Sequence, residues 1–421
     1  MKIRITPAPL RGTVASVSSK SHVHRLLIAA ALADRETEIE LNIWSQDMEA
    51  TARCLKALGA TIDGPKDGLV RVRPITPHPV DDILLPCGES GSTLRFLLPV
   101  AGALNRGKIA FSGDGKLPRR PLAPLREQMQ EHSIRFDREV LPFTMSGRLC
   151  GGFFTLPGNI SSQFITGLLF AASLLDQDSR IFLTTPLESK RYVSMTIETL
   201  AQFGIHIAEE SSGYSIAAGQ RYISPGRANT EGDWSNAAFW LAAGALSGDV
   251  TCTDLAFDSA QGDRAIILLL QEIGANISCV NGTATAGRGH LHPTTIDAAD
   301  IPDLVPVLAV LACAVKGSTY IRHAARLRLK ECDRLSAMAE NLTLLGAAVE
   351  ELPDGLAIHG NGSLHGATVS GCGDHRIVMA MTIASLLCEE PIIIEGAEAV
   401  EKSYPHFFED FAKLGGIADV L

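Results

Sequence analysis

The sequence predicts an α/β protein built from six similar units of about 70 residues each. Two recurring patterns indicate this fold class: a signal that ends a helix, and a helix that is apolar on nearly every side. Apolar residues make up 46% of the 421 residues and charged residues 20%, a composition typical of globular proteins and not of disordered ones. The length alone is compatible with two or three domains.

The helix-ending signal follows amphipathic segments whose apolar residues recur at helical spacing. Glycine is favoured just beyond a helix because it adopts the left-handed conformation without steric cost. The pattern therefore predicts six helix ends, five at glycine and one at serine. They lie at Gly59, Ser133, Gly204, Gly274, Gly346 and Gly415.

The second pattern is a nearly all-apolar segment whose first residues are polar. A helix that is apolar on all sides is buried, so each segment predicts a core helix. The segments are residues 20–33, 90–104, 161–175, 233–246, 301–315 and 374–387.

Residues typical of strands lie between the helices, for example at 37–43, 69–74, 181–185 and 391–396. Each unit is thus predicted as a buried helix, strands, an amphipathic helix and a strand. The sixth unit lacks its last strands at Leu421, and we expect residues 1–18 to complete it. Periodicity alone leaves three arrangements open: one ring, a solenoid, or two pseudo-threefold domains.

Charge and targeting features exclude several classes of partner. The chain has 37 Lys and Arg against 47 Asp and Glu, a net charge of −10, which disfavours nonspecific binding to nucleic acid or to a membrane surface. The first residues form no apolar signal region, and apolar runs such as 304–315 are too short to span a membrane. Nine scattered cysteines without a CxxC pair are typical of a reducing compartment. We therefore expect a cytoplasmic protein.

Polar and cationic side chains concentrate where the buried helices begin. Helix N-termini favour anions, although Ser and Asp are also ordinary N-caps. Arg25 and Arg95 lie a turn inside apolar helices, where a lone cation is costly, so we expect a ligand anion or a protein carboxylate opposite each. Other cations fall in predicted loops, where a solvated surface is the simpler interpretation. These are Arg119, Arg120, Lys190, Arg191, Lys330, Arg334 and Lys402.

Several chemistries lack their signatures. The chain contains no GxxxxGK[ST] loop, no GxGxxG after a strand and no GxSxG elbow. His22 and His24 form an HxH pair without a third ligand at metal spacing, so no metal site is expected. Cys87 or Cys332 could act as a nucleophile, but a buried thiol is the favoured interpretation.

A set of motifs spread over the whole chain resembles the EPSP synthases of the enolpyruvyl transferase family. They are GESGSTLR (88–95), RRP (119–121), SSQF (161–164), SKRY (189–192), EGDWS (231–235), QGD (261–263), IPD (301–303), KECDR (330–334), DHR (374–376) and KSYP (402–405).

The resemblance implies a two-domain enolpyruvyl transferase fold. Each domain would contain three βαββαβ units with buried parallel helices around a pseudo-threefold axis. We expect residues 19–230 to form the shikimate 3-phosphate domain. Residues 1–18 plus 231–421 would form the domain of phosphoenolpyruvate and the acid/base groups, and the two domains would close over the substrates.

The reaction implied is transfer of the enolpyruvyl group of phosphoenolpyruvate to the 5-hydroxyl of shikimate 3-phosphate by addition and elimination. It belongs to chorismate and aromatic amino acid biosynthesis. No metal or organic cofactor is implied, and the expected state is a monomer.

Matching residue by residue, the resemblance assigns three overlapping sets. Shikimate 3-phosphate would contact Lys20, Ser21, Arg25, Ser161, Ser162, Gln163, Ser189, Asp303 and Lys330. Phosphoenolpyruvate would contact Lys20, Gly91, Arg120, Gln163, Arg334, Arg376 and Lys402. Asp303 would be the base at the 5-hydroxyl, and proton transfer at the methylene carbon would involve Glu331 with Lys20, His375 and Lys402.

Glu89 and Arg326 stand where many members have Asn, and we expect them to form a compensating ion pair. Ser92, Thr93 and Phe96 also depart from the commonest glycine motif.

Two alternatives remain. The sister transferase acting on UDP-N-acetylglucosamine typically opens with KN and carries a reactive Cys in a mobile loop. In this chain the corresponding pair is Lys20-Ser21, and residues 112–121 contain no Cys. A non-catalytic repeat scaffold would explain the period but not the clustered cations.

Overall fold

The computed structural model describes residues 1–76, 83–104 and 107–421. The chain divides into two compact units, which we describe separately. The central unit is Lys20–Thr230, and the terminal unit combines Met1–Ser19 with Glu231–Leu421. The assignment of one substrate to each unit stays a prediction.

The described residues form helices and short strands in regular alternation. The helices are α1 (Lys20–Leu32), α2 (Gln46–Ala57), α3 (Gly91–Leu104), α4 (Ala123–Glu131), α5 (Ser162–Ala172), α6 (Lys190–Gln202), α7 (Trp234–Ser247), α8 (Ile266–Glu272), α9 (Val305–Ala314), α10 (Arg334–Leu344), α11 (His375–Ala384) and α12 (Phe407–Lys413). Short 3-10 turns cover Leu117–Arg119, Gly262–Ala265, Pro302–Leu304, Ala325–Leu329, Ser385–Leu387 and Ala397–Lys402.

The strands are β1 (Lys2–Thr6), β2 (Gly12–Ala15), β3 (Thr37–Glu40), β4 (Thr61–Lys66), β5 (Leu69–Arg73), β6 (Ile83–Pro86), β7 (Ile109–Ser112), β8 (Arg135–Phe136), β9 (Phe143–Ser146), β10 (Phe153–Leu156), β11 (Ser179–Leu183), β12 (Ala208–Glu210), β13 (Gly213–Ile216), β14 (Arg227–Asn229), β15 (Val250–Thr253), β16 (Asn276–Val280), β17 (Thr283–Gly287), β18 (Thr295–Asp297), β19 (Gly317–Arg322), β20 (Ala348–Leu352), β21 (Gly355–Gly360), β22 (Thr368–Ser370), β23 (Ile392–Glu395) and β24 (Ile417–Val420).

Within the described residues, each unit contains three four-stranded sheets, and all six sheets share one topology. The central unit has the orders β14-β3-β5-β4, β6-β7-β9-β8 and β10-β11-β13-β12. The terminal unit has β2-β15-β17-β16, β18-β19-β21-β20 and β22-β23-β1-β24. The first two strands of every sheet are parallel and the later pairs are antiparallel. The repeated topology confirms the prediction of six similar units.

The order of elements within a unit differs from the predicted βαββαβ. A unit such as β6-α3-β7-α4-β8-β9 has one strand between its helices and two after the second helix. The physical reason is that the two later strands form an antiparallel hairpin, and a hairpin needs only a tight turn between its strands. Leu69–Arg73, for example, pairs with the strand directly before it.

Only the first part of residues 1–18 completes the sixth sheet. The rest of that prediction is wrong, because β2 pairs with β15 in another sheet of the terminal unit. Strand β1 pairs with β23 and with β24, so Ile3 lies opposite Val420. The strand that a sixth unit would otherwise lack is thus supplied by the start of the chain.

The core of each unit lies around its apolar helices, α1, α3 and α5 or α7, α9 and α11. All 14 residues of α7 are buried, as its apolar sequence predicts. The six predicted helix ends are confirmed, because the second residue after each amphipathic helix has positive φ. Even Ser133 does so, with φ of 76°. No helix in the part of the chain that the structure describes is both long and apolar enough to cross a membrane.

Candidate functional site

The first residue of α1, Lys20, forms an ion pair with the second helix of the same repeat. Its Nζ lies 2.7 Å from Oδ2 of Asp47, which is in the first turn of α2. The side chains are only 14% and 12% exposed. This partially desolvated pair fixes the Lys20 ammonium at the start of a buried helix.

One turn later, Arg25 is held by neutral oxygens. Its Nε donates to Thr196 Oγ1 at 2.8 Å, Nη1 to the Ser21 carbonyl at 2.6 Å, and Nη2 to the Tyr192 carbonyl at 2.8 Å. Burial lowers the pKa of Arg25 to about 9. Among the described residues no carboxylate pairs with Arg25. Of the two counter-charges predicted for it, a protein carboxylate and a ligand anion, only the ligand anion is still a candidate.

Arg95 connects α3 to the start of α5. Its Nη1 donates to Oε1 of Gln163 at 2.7 Å, and Nε2 of Gln163 donates to Ser92 Oγ at 2.9 Å. Ser161 is the N-cap of α5 and accepts the Gln163 backbone N–H, and Ser162 begins the helix. Arg95 thus orients the side chain of the predicted residue Gln163, and the Ser161 cap fixes its backbone N–H.

Gly91 allows Arg120 to lie directly against the start of α3. A Cβ added at Gly91 would be 2.6 Å from Nη1 of Arg120, closer than real contacts allow. Ser189, the N-cap of α6, is buried and has the left-handed φ of 54°, which is uncommon for a non-glycine residue. Such backbone positions cluster at functional sites.

In the terminal unit, Asp303 faces three cations. Its Oδ1 lies 2.8 Å from Nη1 of Arg334 and 3.6 Å from Nζ of Lys330, and its Oδ2 lies 2.9 Å from Nη2 of Arg376. Asp303 is in the 3-10 turn that leads into α9. Opposite charges at this distance favour the ionised carboxylate, the form that a general base needs.

Arg334 is surrounded by three carboxylates. Its Nε and Nη2 bond Asp374 at 2.7 and 3.2 Å, Nη1 bonds Asp303, and Nη2 bonds Glu331 at 3.0 Å. Burial alone would lower the pKa of Arg334, but these carboxylates outweigh it and raise the pKa above its ordinary value. The guanidinium is therefore permanently charged and rigidly placed.

Lys330 lies beside this cluster with a shifted pKa. Burial lowers its pKa to about 8, although Asp303 acts in the opposite direction. A lysine with such a pKa can change its charge near physiological pH.

The start of α11 carries His375 and adjoins Lys402. Asp374 caps the helix by accepting the Arg376 backbone N–H at 2.9 Å. His375 is buried, with Nδ1 3.9 Å from Asp374 Oδ1. Lys402 is also buried and donates from Nζ to the Gly373 carbonyl at 2.6 Å.

The structure joins five predicted residues of the terminal unit in one ion-pair network: Asp303, Lys330, Glu331, Arg334 and Arg376. Two members of the charged clusters were given no role in the site by the sequence analysis, Asp47 and Asp374. Asp374 stands in the DHR motif, and that position could have marked it. Asp47 has only its place in the first turn of an amphipathic helix as a signal.

Cys87 and Cys332 are buried, and the pKa of each thiol is raised. The causes are a hydrogen bond with Cys54 and burial for Cys87, and mainly burial for Cys332. Raised values oppose formation of the thiolate nucleophile, so the buried-thiol interpretation is confirmed. Among the residues described, no group of three or more His, Cys, Asp or Glu could hold a metal ion.

Comparison with known proteins identifies the family. The family model for EPSP synthase (3-phosphoshikimate 1-carboxyvinyltransferase) matches residues 5–411. The chain belongs to the EPSP synthase family. A 3-phosphoshikimate 1-carboxyvinyltransferase from Clostridium novyi is 42% identical over 427 residues, covering 99% of this chain and 98% of the relative. The protein of the same name from Clostridium kluyveri is 44% identical over 425 residues, with the same coverage.

Solved structures support the EPSP synthase fold. EPSP synthase from Acinetobacter baumannii matches with a TM-score of 0.82 and 24% identity over 100% of both chains. The enolpyruvyl transferase NikO from Streptomyces tendae matches with a TM-score of 0.82 and 18% identity, covering 99% of this chain and 98% of that one. These likenesses confirm the predicted fold class. The family match favours EPSP synthase over the UDP-N-acetylglucosamine alternative.

Proposed function

We propose that this chain transfers the enolpyruvyl group of phosphoenolpyruvate to the 5-hydroxyl of shikimate 3-phosphate, in chorismate and aromatic amino acid biosynthesis. Membership of the EPSP synthase family over nearly the whole chain supports the reaction. The observation that carries the chemistry is the Asp303 carboxylate, which faces Lys330, Arg334 and Arg376.

The reaction has two steps. The substrate 5-oxygen bonds to C2 of phosphoenolpyruvate while the methylene carbon C3 gains a proton, giving a tetrahedral ketal. C3 then loses a proton and the C2–O bond to phosphate breaks, releasing phosphate. The enzyme must therefore remove a proton from the hydroxyl, move one to and from C3, and offset the charge of two anions.

Asp303 is the proposed base at the 5-hydroxyl. The three cations keep it ionised in a largely buried turn. Glu331, oriented by Arg334, is the proposed group for proton transfer at C3. Lys20, His375 and Lys402 are the further residues that the family resemblance assigns to this proton transfer.

The remaining residues supply charge and hydrogen bonds. Arginine forks bind carboxylate and phosphate bidentately, and preorganised cations stabilise developing charge. For shikimate 3-phosphate we assign Lys20, Ser21, Arg25, Ser161, Ser162, Gln163, Ser189, Asp303 and Lys330. For phosphoenolpyruvate we assign Lys20, Gly91, Arg120, Gln163, Arg334, Arg376 and Lys402.

Phosphate release from phosphoenolpyruvate tests the proposal. Release should require shikimate 3-phosphate and should fall by about 10²-fold or more in Lys20→Met and in Asp303→Ala. Asp297→Ala is the matched control, because this carboxylate of the same unit is 67% exposed and should leave the rate unchanged. Release with UDP-N-acetylglucosamine and not with shikimate 3-phosphate would overturn the assignment.

We also propose that the enzyme acts in the cytoplasm as a monomer. All nine cysteines are free, which suits a reducing compartment. Light scattering should give a mass near 44.9 kDa, and twice that value would contradict the monomer.

A further inference from the structure

The hydroxyl of Thr196 accepts a hydrogen bond from the side chain of Arg25. Arg25 is 2% exposed, and its three protein acceptors are the carbonyls of Ser21 and Tyr192 and the hydroxyl of Thr196. Two of these acceptors are backbone atoms that no substitution can remove. Among the described residues, Thr196 is therefore the side chain that accepts a hydrogen bond from the arginine.

The hydrogen bonds of Thr196 leave its hydroxyl no freedom to rotate. It donates its single proton to the Tyr192 carbonyl at 3.0 Å and accepts Nε of Arg25 at 2.8 Å. Its third contact is Thr166 Oγ1 at 2.9 Å. Because the Thr196 proton is already used, Thr166 must be the donor in that contact, and both lone pairs of Thr196 are occupied.

These bonds close a ring around one edge of the guanidinium. Nε and Nη2 of Arg25 bond to Thr196 Oγ1 and the Tyr192 carbonyl, and these two oxygens are the partners of the Thr196 hydrogen bond. The Phe96 ring lies 5.2 Å from the guanidinium carbon. The plane of the guanidinium is thus fixed from two directions.

Part of the hydrogen-bonding capacity of Arg25 remains for a ligand. A guanidinium has five N–H groups, and the protein bonds use one on each nitrogen. One N–H on Nη1 and one on Nη2 remain. Two N–H groups held in one plane suit two oxygens of a phosphate or carboxylate.

We propose that Thr196, supported by Thr166, is a positioning residue that orients Arg25 toward the anionic oxygens of shikimate 3-phosphate. The inference rests on the proposed function, which assigns Arg25 to that substrate. It adds residues on α5 and α6 that contact no reacting atom and act through the arginine.

The chain offers a matched control on the same helix. Thr199 lies within α6, is buried to the same degree as Arg25, and donates only to the Met195 carbonyl at 2.8 Å. Substituting Thr199 by valine removes a buried hydroxyl and a helix-internal bond, as Thr196→Val does, without touching Arg25.

The experiment measures kcat and the KM of each substrate for the full chain and its Thr196→Val, Thr196→Ser and Thr199→Val variants. Thr196→Val should raise KM for shikimate 3-phosphate about tenfold, since a hydrogen bond to a charged group is lost. Its kcat and its KM for phosphoenolpyruvate should change by less than about twofold. Thr196→Ser should have the wild-type KM for shikimate 3-phosphate, because it keeps the hydroxyl. Thr199→Val should leave that KM unchanged.

Equal KM values for Thr196→Val and Thr199→Val would overturn the inference. If Thr196→Val does not fold, Thr166→Val decides: it removes the donor behind Thr196 and should raise the same KM about two- to threefold. An unchanged KM in Thr166→Val would then reject the inference.

Arg25→Lys separates this inference from the proposed function. It keeps the charge but lacks the fork. If Arg25→Lys leaves KM for shikimate 3-phosphate unchanged, the assignment of Arg25 to this substrate fails. If Arg25→Lys raises that KM while Thr196→Val does not, only the role of Thr196 fails.

Discussion

Two buried arginines of this protein are stabilised in opposite ways. Arg334 meets three carboxylates, whereas Arg25 meets only neutral oxygens in the described part of the chain. A buried ion pair compensates much of its own desolvation, and a cation among neutral dipoles compensates less. The charge of Arg25 is therefore the more available to an anionic ligand.

Lys330 should make substrate binding depend on pH. Its pKa of about 8 lies below the ordinary value of a lysine. The Lys330 side chain is therefore charged well below pH 8 and loses its charge as the pH rises through 8. We expect kcat/KM for shikimate 3-phosphate to fall above pH 8, since this quantity reports ionisations of the free enzyme.

Lys330→Arg is the control for that profile, because arginine keeps its charge throughout the range. The decline above pH 8 should disappear in this variant. The same decline in both proteins would mean that another group is responsible.

Local sequence singled out most of the charged residues that the structure joins in ion pairs, but it revealed neither Asp47 nor how these residues pair. Lys20 and Asp47 are 27 residues apart, and Arg334 and Asp374 are 40 apart. Such pairs depend on how helices pack, which periodicity does not encode. Cations at helix starts were predictable because an apolar helix has few reasons to begin with Lys or Arg.

At the scale of single elements, the helix ends offer a direct test. Ser133 has a φ of 76° at the position that glycine holds in the other five repeats. A left-handed conformation costs a non-glycine residue about 1–2 kcal/mol, partly offset by glycine's greater freedom in the unfolded chain. Ser133→Gly should therefore increase the free energy of unfolding by roughly 0.5 kcal/mol.

The reciprocal change should have the opposite sign. Gly204 has a φ of 77°, and an added Cβ would be 3.5 Å from its nearest neighbour in Ile223, an ordinary contact. Gly204→Ser should lower the free energy of unfolding in denaturant titrations by about 1 kcal/mol. Changes of the same sign in both variants would contradict the argument.

Helices were predicted more securely than the order of strands. A buried helix is defined by many consecutive apolar residues, as in α7, and its position followed directly. The strands are two to six residues long, and such short stretches do not reveal their partners. Whether β5 precedes or follows an amphipathic helix in the repeat depends on a hairpin that the periodicity does not specify.

At the scale of the whole chain, the repeat predicted six units but not their grouping. A ring, a solenoid and two sets of three all satisfy a period of about 70 residues. In the structure, strand pairing distinguishes these arrangements: β14 pairs with β3 within Lys20–Thr230, and β2 pairs with β15 within the terminal unit. These contacts join strands far apart in sequence, so only the resemblance to a known family could anticipate them.

The pairing of β1 with β24 places the first and last residues side by side, since the Leu421 N–H donates to the Lys2 carbonyl at 3.0 Å. The enzyme should therefore tolerate circular permutation. A short Gly-Ser linker from Leu421 to Met1, with new termini in the turn between Asn281 and Gly282, should give a folded enzyme with kcat within about threefold of wild type. Opening the chain inside buried α9, between Val307 and Leu308, should abolish folding, as circular dichroism would show. Loss of activity in the first permutant would show that the order of the units along the chain matters beyond their pairing.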